Sequence, residues 1–582
     1  MINKIVVALA TILVFCTLTH AADRPNVILV MTDDQGYGDF GITGNTLLDT
    51  PHFDAMASRS ASMSTFYVNP VCSPTRASLM TGRYHLRTRC IDTWLGRSMM
   101  DTEEVTIAEI LKDAGYATGV FGKWHMGDSY PMRPTDQGFD EALVHRGGGL
   151  AQPADHPENE KRYTDAWLFH NGDPIKTKGY CTDVYFDATM KYIKKQKKAK
   201  QPFFAYIATN APHNPLHDVP EELYQKYLQR ELESINVPPL TGEKAKENRD
   251  KVARIFAMIE NIDQNMGRLF SFLDDQQLTE DTLVIYMNDN GPYTMRYVGP
   301  FRGKKTQVLE GGVRSPLWLH WPSKFKAGTT RDHLTANIDI MPTILDVCNV
   351  PVPKDLKLDG RSFLPVLENV DAEWANRTIV MQSHRGNEAT RYNNFMIRDK
   401  RWKLVHPNGF YQPSFKGDPK LELYDLKNDP GETNNLIDSQ LFVATALKAK
   451  YDAWFDDVSS TRDNNYAPPL IHAGTPHENP TALTRQDWYG PSWAPNEKDG
   501  YWNTHFPEEN TYDITVHLYP QKQAGNITLK IAHATYTRFI PKEAKKITIN
   551  NVQIPSGTHK IVGDVLHGKT TTNPYQLELL RK

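Results

Sequence analysis

Residues 26–36 read Asn-Val-Ile-Leu-Val-Met-Thr-Asp-Asp-Gln-Gly, an apolar run that ends in two acidic residues and a glycine. A run that is apolar on both faces and rich in β-branched residues is typical of a buried strand in a parallel sheet. We predict that this segment is the first central strand. Similar runs occur at residues 117–121, 203–208, 282–287 and 316–320.

Helical patterns lie between the predicted strands. Residues 107–111 form a short pattern that stops near Gly115, a residue type common at helix ends. Apolar residues from Val252 to Leu273 keep a spacing of three and four over several turns. Strands that alternate with helices predict a doubly wound α/β fold, with one large mixed sheet flanked by helices.

Polar residues follow four of the predicted strands, at the point where each strand ends. The carboxyl ends of parallel strands meet at one edge of a sheet, and the ligands of open α/β sheets bind there. The sequence therefore predicts that one edge gathers acids, bases and amides. The residues are Asp33, Asp34, Lys123, His125, His213, Asp289 and Asn290.

Four of these residues offer only oxygen ligands: Asp33, Asp34, Asp289 and Asn290. Such a set favours a hard divalent cation, Ca²⁺ above all, whereas Zn²⁺ favours nitrogen and sulfur. Taken singly, the same residues also have a structural explanation. Asp33 and Asp34 suit a helix cap, and Asp289 and Asn290 suit a turn before Gly291.

The composition is that of an ordinary folded protein. The chain has 582 residues, of which 40% are hydrophobic and 23% are charged, and its formal net charge is −3. No overall positive field attracts nucleic acid or an acidic membrane, so neither is an expected partner. The length suits one large domain with smaller ones attached.

Residues 1–22 have the pattern of a secretory signal peptide. Lys4 precedes an apolar core from Ile5 to Leu18, and small residues around Ala21 offer a cleavage site. The core is short for a membrane span, so we expect an exported protein, periplasmic or secreted, with no stable membrane insertion. An uncleaved N-terminal anchor is the alternative. The five cysteines are too few for disulfides to hold the fold.

The pattern of the chain changes after the last predicted central strand. Short strand patterns occur at 395–398, 401–405 and 421–424, and a helical pattern follows at 442–455. From residue 512 to 531, apolar and polar residues alternate as in β-strands. We therefore expect a catalytic domain over 23–375, a smaller α+β subdomain over 376–465, an irregular linker over 466–500 and a β-rich terminal module over 501–582.

Residues 71–83 read Val-Cys-Ser-Pro-Thr-Arg-Ala-Ser-Leu-Met-Thr-Gly-Arg. A free cysteine is most often a small buried hydrophobe. Here, however, a proline stands two residues after Cys72, and Arg76 stands four residues after it. This run resembles the signature of the type I sulfatases of the alkaline-phosphatase-like superfamily, and the chain resembles secreted bacterial arylsulfatases and polysaccharide sulfatases. In that family the cysteine is oxidised during synthesis to formylglycine, whose hydrated aldehyde is the nucleophile.

The resemblance extends to further motifs. Residues 32–39 and 288–291 are similar to the two metal segments of the family, and 122–127 to its second signature. Residues 211–213 and 301–314 are similar to segments that contact sulfate. The resemblance implies catalytic roles for Cys72, Arg76, Lys123, His125, His213 and Lys305, with Lys304 as the alternative to Lys305. It implies that Asp33, Asp34, Cys72, Asp289 and Asn290 bind one Ca²⁺.

The resemblance also implies a two-stage hydrolysis of sulfate esters. One hydroxyl of the hydrated aldehyde attacks sulfur, while His213, with Lys305, assists proton delivery to the leaving oxygen. His125 then removes the proton of the second hydroxyl, and sulfate leaves as the aldehyde re-forms. Arg76 holds the hydrate and Lys123 contacts sulfate. A formylglycine-generating or sulfatase-maturing enzyme is therefore an expected partner during synthesis.

The substrate is only coarsely indicated. Export and an added β-module favour a sulfated saccharide, as in the degradation of sulfated polysaccharides, and an aryl sulfate is the simpler substrate of the same kind. Some loop and tail residues are candidate sugar contacts, although ordinary packing is the simpler explanation for each. They are His384, Arg385, Trp94, His145, Arg146, Tyr501, Trp502 and Phe506.

Two other functions stay open at this point. The first is a phosphate or phosphonate monoesterase, because relatives with the same fold use a similar nucleophile and metal. The second is a catalytically inert carbohydrate-binding protein that has kept the fold. The first predicts faster turnover of phosphate esters, and the second predicts an unmodified Cys72 and binding without turnover.

Overall fold

The computed structural model describes residues 24–582, except 151, 153, 160–161, 236–239, 462–465, 491–499 and 521. The expected signal peptide over 1–22 therefore lies outside the described residues. Within the described ranges there is no helix of sufficient length and apolar character to span a membrane.

The helices of the described ranges include short and long elements. They are α1 (Pro51–Arg59), α2 (Cys72–Thr81), α3 (Ile107–Asp113), α4 (Cys181–Ala199), α5 (Glu221–Leu228), α6 (Gly242–Asp275), α7 (Glu310–Val313), α8 (Ile340–Val347), α9 (Leu364–Glu368) and α10 (Leu441–Ser459).

The strands fall into an N-terminal half and a C-terminal half. The first group is β1 (Asn26–Thr32), β2 (Ala61–Met63), β3 (Phe66–Tyr67), β4 (Ala117–Lys123), β5 (Glu141–His145), β6 (Trp167–His170), β7 (Asp173–Lys176), β8 (Phe203–Ala208), β9 (Thr282–Asn288), β10 (Leu317–His320), β11 (Thr330–Arg331) and β12 (Thr335–Ala336). The second group is β13 (Ile379–Gln382), β14 (Phe395–Arg398), β15 (Trp402–His406), β16 (Glu422–Asp425), β17 (Ile471–His472), β18 (Thr481–Thr484), β19 (Trp502–Phe506), β20 (Asn510–His517), β21 (Gly525–Ile531), β22 (Ala534–Ile540), β23 (Lys546–Ile554), β24 (Gly557–His567), β25 (Thr570–Thr572) and β26 (Gln576–Arg581).

The central sheet has ten strands in the order β11-β2-β10-β9-β1-β8-β4-β5-β6-β7. The strands β9, β1, β8, β4 and β5 are parallel, whereas β10 and β6 run antiparallel to their neighbours. The predicted large mixed sheet is thus confirmed. Because β9, β1, β8 and β4 are adjacent and parallel, their carboxyl ends share one edge.

The residues of β1 show why the sheet is covered on both faces. Val27, Leu29 and Met31 pack into one hydrophobic cluster with residues of α2, α3 and α8. Ile28 and Val30 point to the opposite face and pack with residues of α4 and α6. A strand with two buried faces is apolar throughout, as this one is. The long helix α6 begins ten residues before the pattern that starts at Val252.

Two further layers follow the central sheet. Strands β13 to β16 form an antiparallel sheet, and α10 packs against β14 and β15. Farther along the chain, a six-stranded sheet and a four-stranded sheet share one hydrophobic core, as in a sandwich. We call this sandwich, residues 466–582, the terminal module.

The terminal module differs from the sequence-based expectation in two respects. The predicted linker over 466–500 contains β17 and β18, which pair with β19 and β26 of the sandwich. Trp502 and Phe506 are fully buried, so they serve the core and are not free to stack on a sugar. Tyr501 is half-buried and stacks on Tyr489.

Candidate active site

The carboxyl ends of β1 and β9 bring four oxygen-bearing side chains together. Thr32 pairs with Asn288 at the end of the two strands, so Asp33 and Asp34 lie beside Asp289 and Asn290. The backbone NH of Asp34 donates to Asp289 Oδ1 at 3.1 Å, and Asn290 Nδ2 donates to Asp34 Oδ1 at 2.9 Å. All four side chains are buried.

Cys72 is the first residue of α2 and faces this acidic group. Its Sγ lies 3.5 Å from Asp33 Oδ1 and 3.3 Å from Lys305 Nζ. Burial, with the charge of Asp33 as the next cause, raises the pKa of the Cys72 thiol to about 12. The side chain is therefore a thiol at neutral pH, and a thiol is a poor nucleophile compared with a thiolate.

Two buried cations form ion pairs with the acidic side chains. Arg76 Nη2 lies 2.9 Å from Asp289 Oδ2 and 3.6 Å from Asp33 Oδ2, and Lys123 Nζ pairs with Asp33. Arg76 Nη1 also donates to the carbonyl of Lys123 at 2.8 Å. Burial favours a raised pKa for Asp33, but the charges of Lys123, His213 and Arg76 overcome it and hold that pKa well below its usual range.

The third acid, Asp289, has the opposite shift. Burial, and next the negative charge of Asp33, raise its pKa to about 7. Asp289 therefore holds a proton over part of the neutral range when no cation is bound. A divalent cation among these oxygens would favour the ionised form.

Two histidines lie at the site in different settings. His213 Nδ1 donates to the carbonyl of Asn214 at 2.7 Å, which leaves Nε2 facing Asp34 Oδ2 at 3.8 Å. His125 Nε2 lies 2.9 Å from the carbonyl of Thr93, and its buried Nδ1 has no hydrogen-bond partner in the part of the chain that the structure describes. Burial lowers the pKa of both imidazoles, and the charges of Lys123 and Arg76 lower that of His125 further.

The structure separates the two candidate lysines. Lys305 Nζ donates to Asp34 Oδ1 at 2.5 Å and lies 3.3 Å from Cys72 Sγ. Although burial opposes it, the carboxylate of Asp34 raises the pKa of Lys305 well above its usual range. The described hydrogen bonds of Lys304 are made by its backbone, whose NH donates to Gln307 Oε1 and whose carbonyl accepts from the NH of Gln307. Lys305 is therefore the lysine that reaches the site.

The oxygen-rich group fits a hard cation. Asn290 Oδ1 is buried and has no hydrogen-bond partner among the described residues, although its amide nitrogen donates to Asp34 Oδ1 and to the carbonyl of Gly291. A buried carbonyl oxygen without a partner is costly unless a ligand satisfies it. One potential metal-ligating atom from each of Asp33, Asp34, Cys72 and His213 also lies within 4.8 Å of the others. Carboxylate and amide oxygens are the ligands that Ca²⁺ prefers.

The weaker candidates for substrate contact fall into two groups. Trp94 and Arg385 lie together beside the site, with the guanidinium 4.6 Å from the indole centroid, and Arg385 Nη1 donates to Thr93 Oγ1 at 2.7 Å. His384 is buried and is held by the carbonyl of Arg385 at 2.7 Å.

The other group makes contacts within the protein. His145 is buried, and burial lowers its pKa to about 3. Arg146 lies 4.0 Å over the ring of Phe169 and 3.9 Å from a carboxylate oxygen of Glu478. These contacts are packing and ion pairing.

Three residues beside the histidines, Gly148, Gly149 and Gln486, lie outside the motifs quoted from the sequence. A Cβ at Gly148 would lie 2.7 Å from the ring of His125, and one at Gly149 would lie 3.2 Å from His213 Nδ1. This glycine pair therefore allows the backbone to run close to both rings. Gln486, from the terminal module, lies 3.2 Å from His125 Nε2. The run Gly147-Gly148-Gly149 was a usable sequence signal, whereas Gln486 gave none.

Two family models match the chain. The model described as Sulfatase matches residues 25–350, and the model described as N-sulphoglucosamine sulphohydrolase, C-terminal, matches residues 303–453. The first match covers more than half of the 582 residues and spans the candidate site from Asp33 to Lys305. Neither match extends beyond residue 453.

Individual proteins are similar over the same region. The N-acetylgalactosamine-6-sulfatase of Canis lupus familiaris is 31% identical over 377 residues, which are 60% of this chain and 66% of that protein, so the chain spans about two thirds of that relative. The N-acetylglucosamine-6-O-sulfatase of Bacteroides thetaiotaomicron is 26% identical over 492 residues, 71% of this chain and 83% of that protein. A crystal structure of Ps i-CgsB in complex with k-i-k-neocarrahexaose has a TM-score of 0.64 at 27% identity, over 77% of this chain and 95% of that one.

Proposed function

Because this chain belongs to the sulfatase family, a family of sulfuric ester hydrolases, we propose that it hydrolyses sulfate esters of a sulfated carbohydrate. One observation carries the proposal. Lys305 Nζ lies between Asp34 Oδ1, at 2.5 Å, and Cys72 Sγ, at 3.3 Å. A single cation thus borders both the cysteine position and the acidic group, where an anionic ester needs positive charge.

We propose one Ca²⁺ in the acidic group. Asp33, Asp34, Asp289 and Asn290 would hold it, and the unpartnered Asn290 Oδ1 supports this assignment. The residue at position 72 would also lie against the cation. When bound, the cation would withdraw charge from the sulfate oxygens and favour the ionised nucleophile.

We further propose that Cys72 is the precursor of formylglycine. The modified side chain would supply a hydrated aldehyde as nucleophile at a position where the thiol itself is held protonated. The first turn of α2 and the buried Arg76 fix this position at the edge of the sheet. A sulfatase-maturing or formylglycine-generating enzyme is the partner that this assignment requires.

The remaining groups divide between binding and proton transfer. Lys123 pairs with Asp33 and Lys305 pairs with Asp34, and both ammonium groups suit sulfate oxygens. His213 Nε2 has its lone pair free, because Nδ1 donates to a backbone carbonyl. Burial lowers the pKa of His213 in the free enzyme, so a bound sulfate anion must raise it before His213 can protonate the leaving oxygen. His125 offers an unpartnered Nδ1 as a proton acceptor.

A saccharide substrate is supported by the relatives and by one feature beside the site. The relatives named above include sulfatases of amino sugars and a structure with a bound carrahexaose. Trp94 is half-buried, and Arg385 lies against its ring. An aromatic face beside a guanidinium suits a sugar ring with an anionic substituent. We propose that Trp94 and Arg385 contact the sugar, and that the protein acts outside the cytoplasm after export.

The decisive test compares the mature enzyme with two cysteine variants. We expect mass spectrometry of the Cys72 peptide to detect formylglycine, and the enzyme to release sulfate from sulfated saccharides and aryl sulfates. Cys72→Ala should lose this activity. Cys348→Ala, which removes another buried free cysteine, should keep it.

The same assay separates the alternatives. Faster turnover of phosphate or phosphonate esters than of sulfate esters would identify a phospho-monoesterase. Saccharide binding without turnover, with an unmodified Cys72, would identify an inert binding protein. Sulfate release that survives Cys72→Ala would contradict the proposed nucleophile.

A further inference from the structure

Gln486 connects the terminal module to the active site. It follows β18 and lies beyond both family matches, which end at residues 350 and 453. Its side chain is buried and reaches the loop of residues 93–98. The core of the module also encloses Leu95 of that loop and Met99, which follows it. The module therefore fixes this loop by packing as well as by hydrogen bonds.

The orientation of the Gln486 amide follows from its partners. Its Nε2 donates to the carbonyl of Thr93 at 2.8 Å and to Ser98 Oγ at 2.6 Å. The opposite orientation would place two carbonyl oxygens within 2.8 Å of each other. Both amide hydrogens are therefore donated to the loop, and neither is left to donate to His125.

The carbonyl of Thr93 determines which ring nitrogen of His125 carries the hydrogen. The carbonyl of Thr93 lies 2.9 Å from His125 Nε2. A carbonyl oxygen only accepts, so Nε2 carries the hydrogen and donates it. In the neutral ring, Nδ1 then has the free lone pair, and this atom is buried without a partner. The Thr93 carbonyl selects the tautomer whose Nδ1 can accept a proton.

Thr93 is held from three directions. Gln486 binds its carbonyl, Arg385 Nη1 donates to its Oγ1 at 2.7 Å, and its backbone NH donates to Asp92 Oδ1 at 2.6 Å. His125 itself has a φ of +62°, which is uncommon for a residue with a side chain. A strained residue keeps its conformation only where its surroundings determine it.

We propose that Gln486 is a positioning residue, which holds the Thr93 carbonyl so that His125 stays in the tautomer with a proton-accepting Nδ1. The proposal rests on the proposed function for the meaning of that proton transfer. It also means that the terminal module completes the active site. Residues behind a functional histidine commonly orient it by binding the ring nitrogen that does not take part in the chemistry.

The tautomer can be measured without any turnover. Nitrogen-15 NMR of histidine-labelled protein reports which ring nitrogen is protonated, and the signal of His125 is identified by its loss in His125→Asn. We expect a single tautomer, protonated at Nε2, in the wild type and in Gln576→Leu. We expect a mixture of tautomers in Gln486→Leu. Gln576 is a matched control, since it is a buried glutamine of the same module whose amide contacts Glu578.

Kinetics provide the second readout. On a sulfate ester, Gln486→Leu should lower kcat about 10- to 100-fold, the usual range for residues behind a functional group, with little change in KM. Gln576→Leu should change neither. An inactive wild type would contradict the proposed function, and the tautomer measurement would still decide the role of Gln486.

Gln486→Glu gives a directional test through pH. Lys123 on β4, Arg76 on α2 and Asp33 after β1 are the charged groups that act on His125. A carboxylate beside Nε2 favours the imidazolium, so the acidic limb of kcat should move to higher pH. An unchanged tautomer and an unchanged kcat in Gln486→Leu would overturn the proposal. So would equal losses of activity and thermal stability in the Leu variants of Gln486 and Gln576, because this pattern means loss of docking alone.

Discussion

Two lysine clusters of this molecule have the same components and different properties. Lys403 is fully buried and lies 2.9 Å from Glu310 Oε1 and 2.9 Å from Glu432 Oε1. Lys305 lies 2.5 Å from Asp34 Oδ1, beside Cys72. The first cluster joins β15 to the start of α7, and the second lies at the edge of the central sheet.

The clusters differ in what they leave unpaired. At Lys403, the second oxygen of Glu310 accepts from Tyr67 OH at 2.7 Å, and Glu432 Oε2 accepts from the NH of Glu310. Although burial opposes it, Lys403 lowers the pKa of Glu310 to about 2.

At the candidate active site the balance is different. Asn290 Oδ1 and His125 Nδ1 are buried without partners, and burial raises the pKa of Asp289 to about 7. Side chains that are paired with one another stabilise a fold. Buried polar atoms that stay without a partner at the edge of the sheet mark a place for a ligand.

The largest expected effect is on stability, at the paired cluster. Lys403→Met leaves the carboxylate of Glu432 buried without this cation. Glu310 keeps Arg314 at 3.3 Å. Breaking a buried ion pair from one side costs about 3–5 kcal/mol. We expect a loss of that size in the free energy of unfolding, measured by denaturant titration.

Lys400→Met is the control for this variant. Lys400 lies just before the same strand and pairs with Asp332 at 3.4 Å, but both side chains are 69% exposed. Exposed pairs of this kind contribute little. If Lys403→Met destabilised the protein no more than Lys400→Met, the Lys403 cluster would not be the structural counterpart that we describe.

The next effect is on activity, at the unpaired cluster. Lys305→Met removes the cation between Asp34 and Cys72. Loss of one group that stabilises transition-state charge typically lowers kcat about 10²–10³-fold. We expect that loss in sulfate release, with a smaller change in unfolding free energy than Lys403→Met causes.

Lys304→Met separates the two lysines that the sequence left open. Its ammonium is not among the groups that meet Asp34 or Cys72 in the described contacts. We expect its activity to stay within a few-fold of wild type. A severe loss in Lys304→Met with a mild one in Lys305→Met would assign the sulfate-binding role to the other lysine.

Much of the central fold could be predicted from the sequence, for a physical reason. A strand such as β1, buried on both faces, must be apolar along its whole length, so it is visible without its partners. The acids and bases follow such strands directly, and parallel strands carry them to one edge. The motif around Cys72 is local in sequence, so it too could be predicted.

The features of the fold and of the site that the sequence did not predict depend on contacts between distant segments. Gln486 lies 361 residues from His125, and nothing in its own neighbourhood indicates that contact. Trp502 and Phe506 alternate with polar residues in a way that fits either a sugar-binding face or a core. Only the second sheet of the terminal module determines that they are core residues. The strands β17 and β18 are short and lie among turn-forming residues, so their sequence predicts a linker.

The remaining expected effect concerns pH, and the contributions of the two clusters to stability should change with pH in opposite directions. The pKa of Glu310 is lowered in the folded state, so its contribution is present above the unfolded value near 4.3 and is lost as the pH falls toward 2. The pKa of Asp289 is raised to about 7, so the cation-free native state holds a proton that the unfolded chain releases near pH 4. Stability from Asp289 therefore falls as the pH rises from about 4 to 7.

Calcium should reverse the second trend, because it binds the ionised carboxylate. At about 100 times its Kd, a ligand adds about 2.7 kcal/mol to the stability of the native state. At pH 5, two units below the pKa of Asp289, proton competition weakens binding about 100-fold, and the gain falls to about 0.4 kcal/mol. Thermal unfolding with calcium or with chelator, from pH 5 to 8, measures this difference. Asp289→Asn should flatten the pH dependence and Glu310→Gln should not. A calcium effect that is equal at pH 5 and pH 8 in the wild type would place the cation away from Asp289.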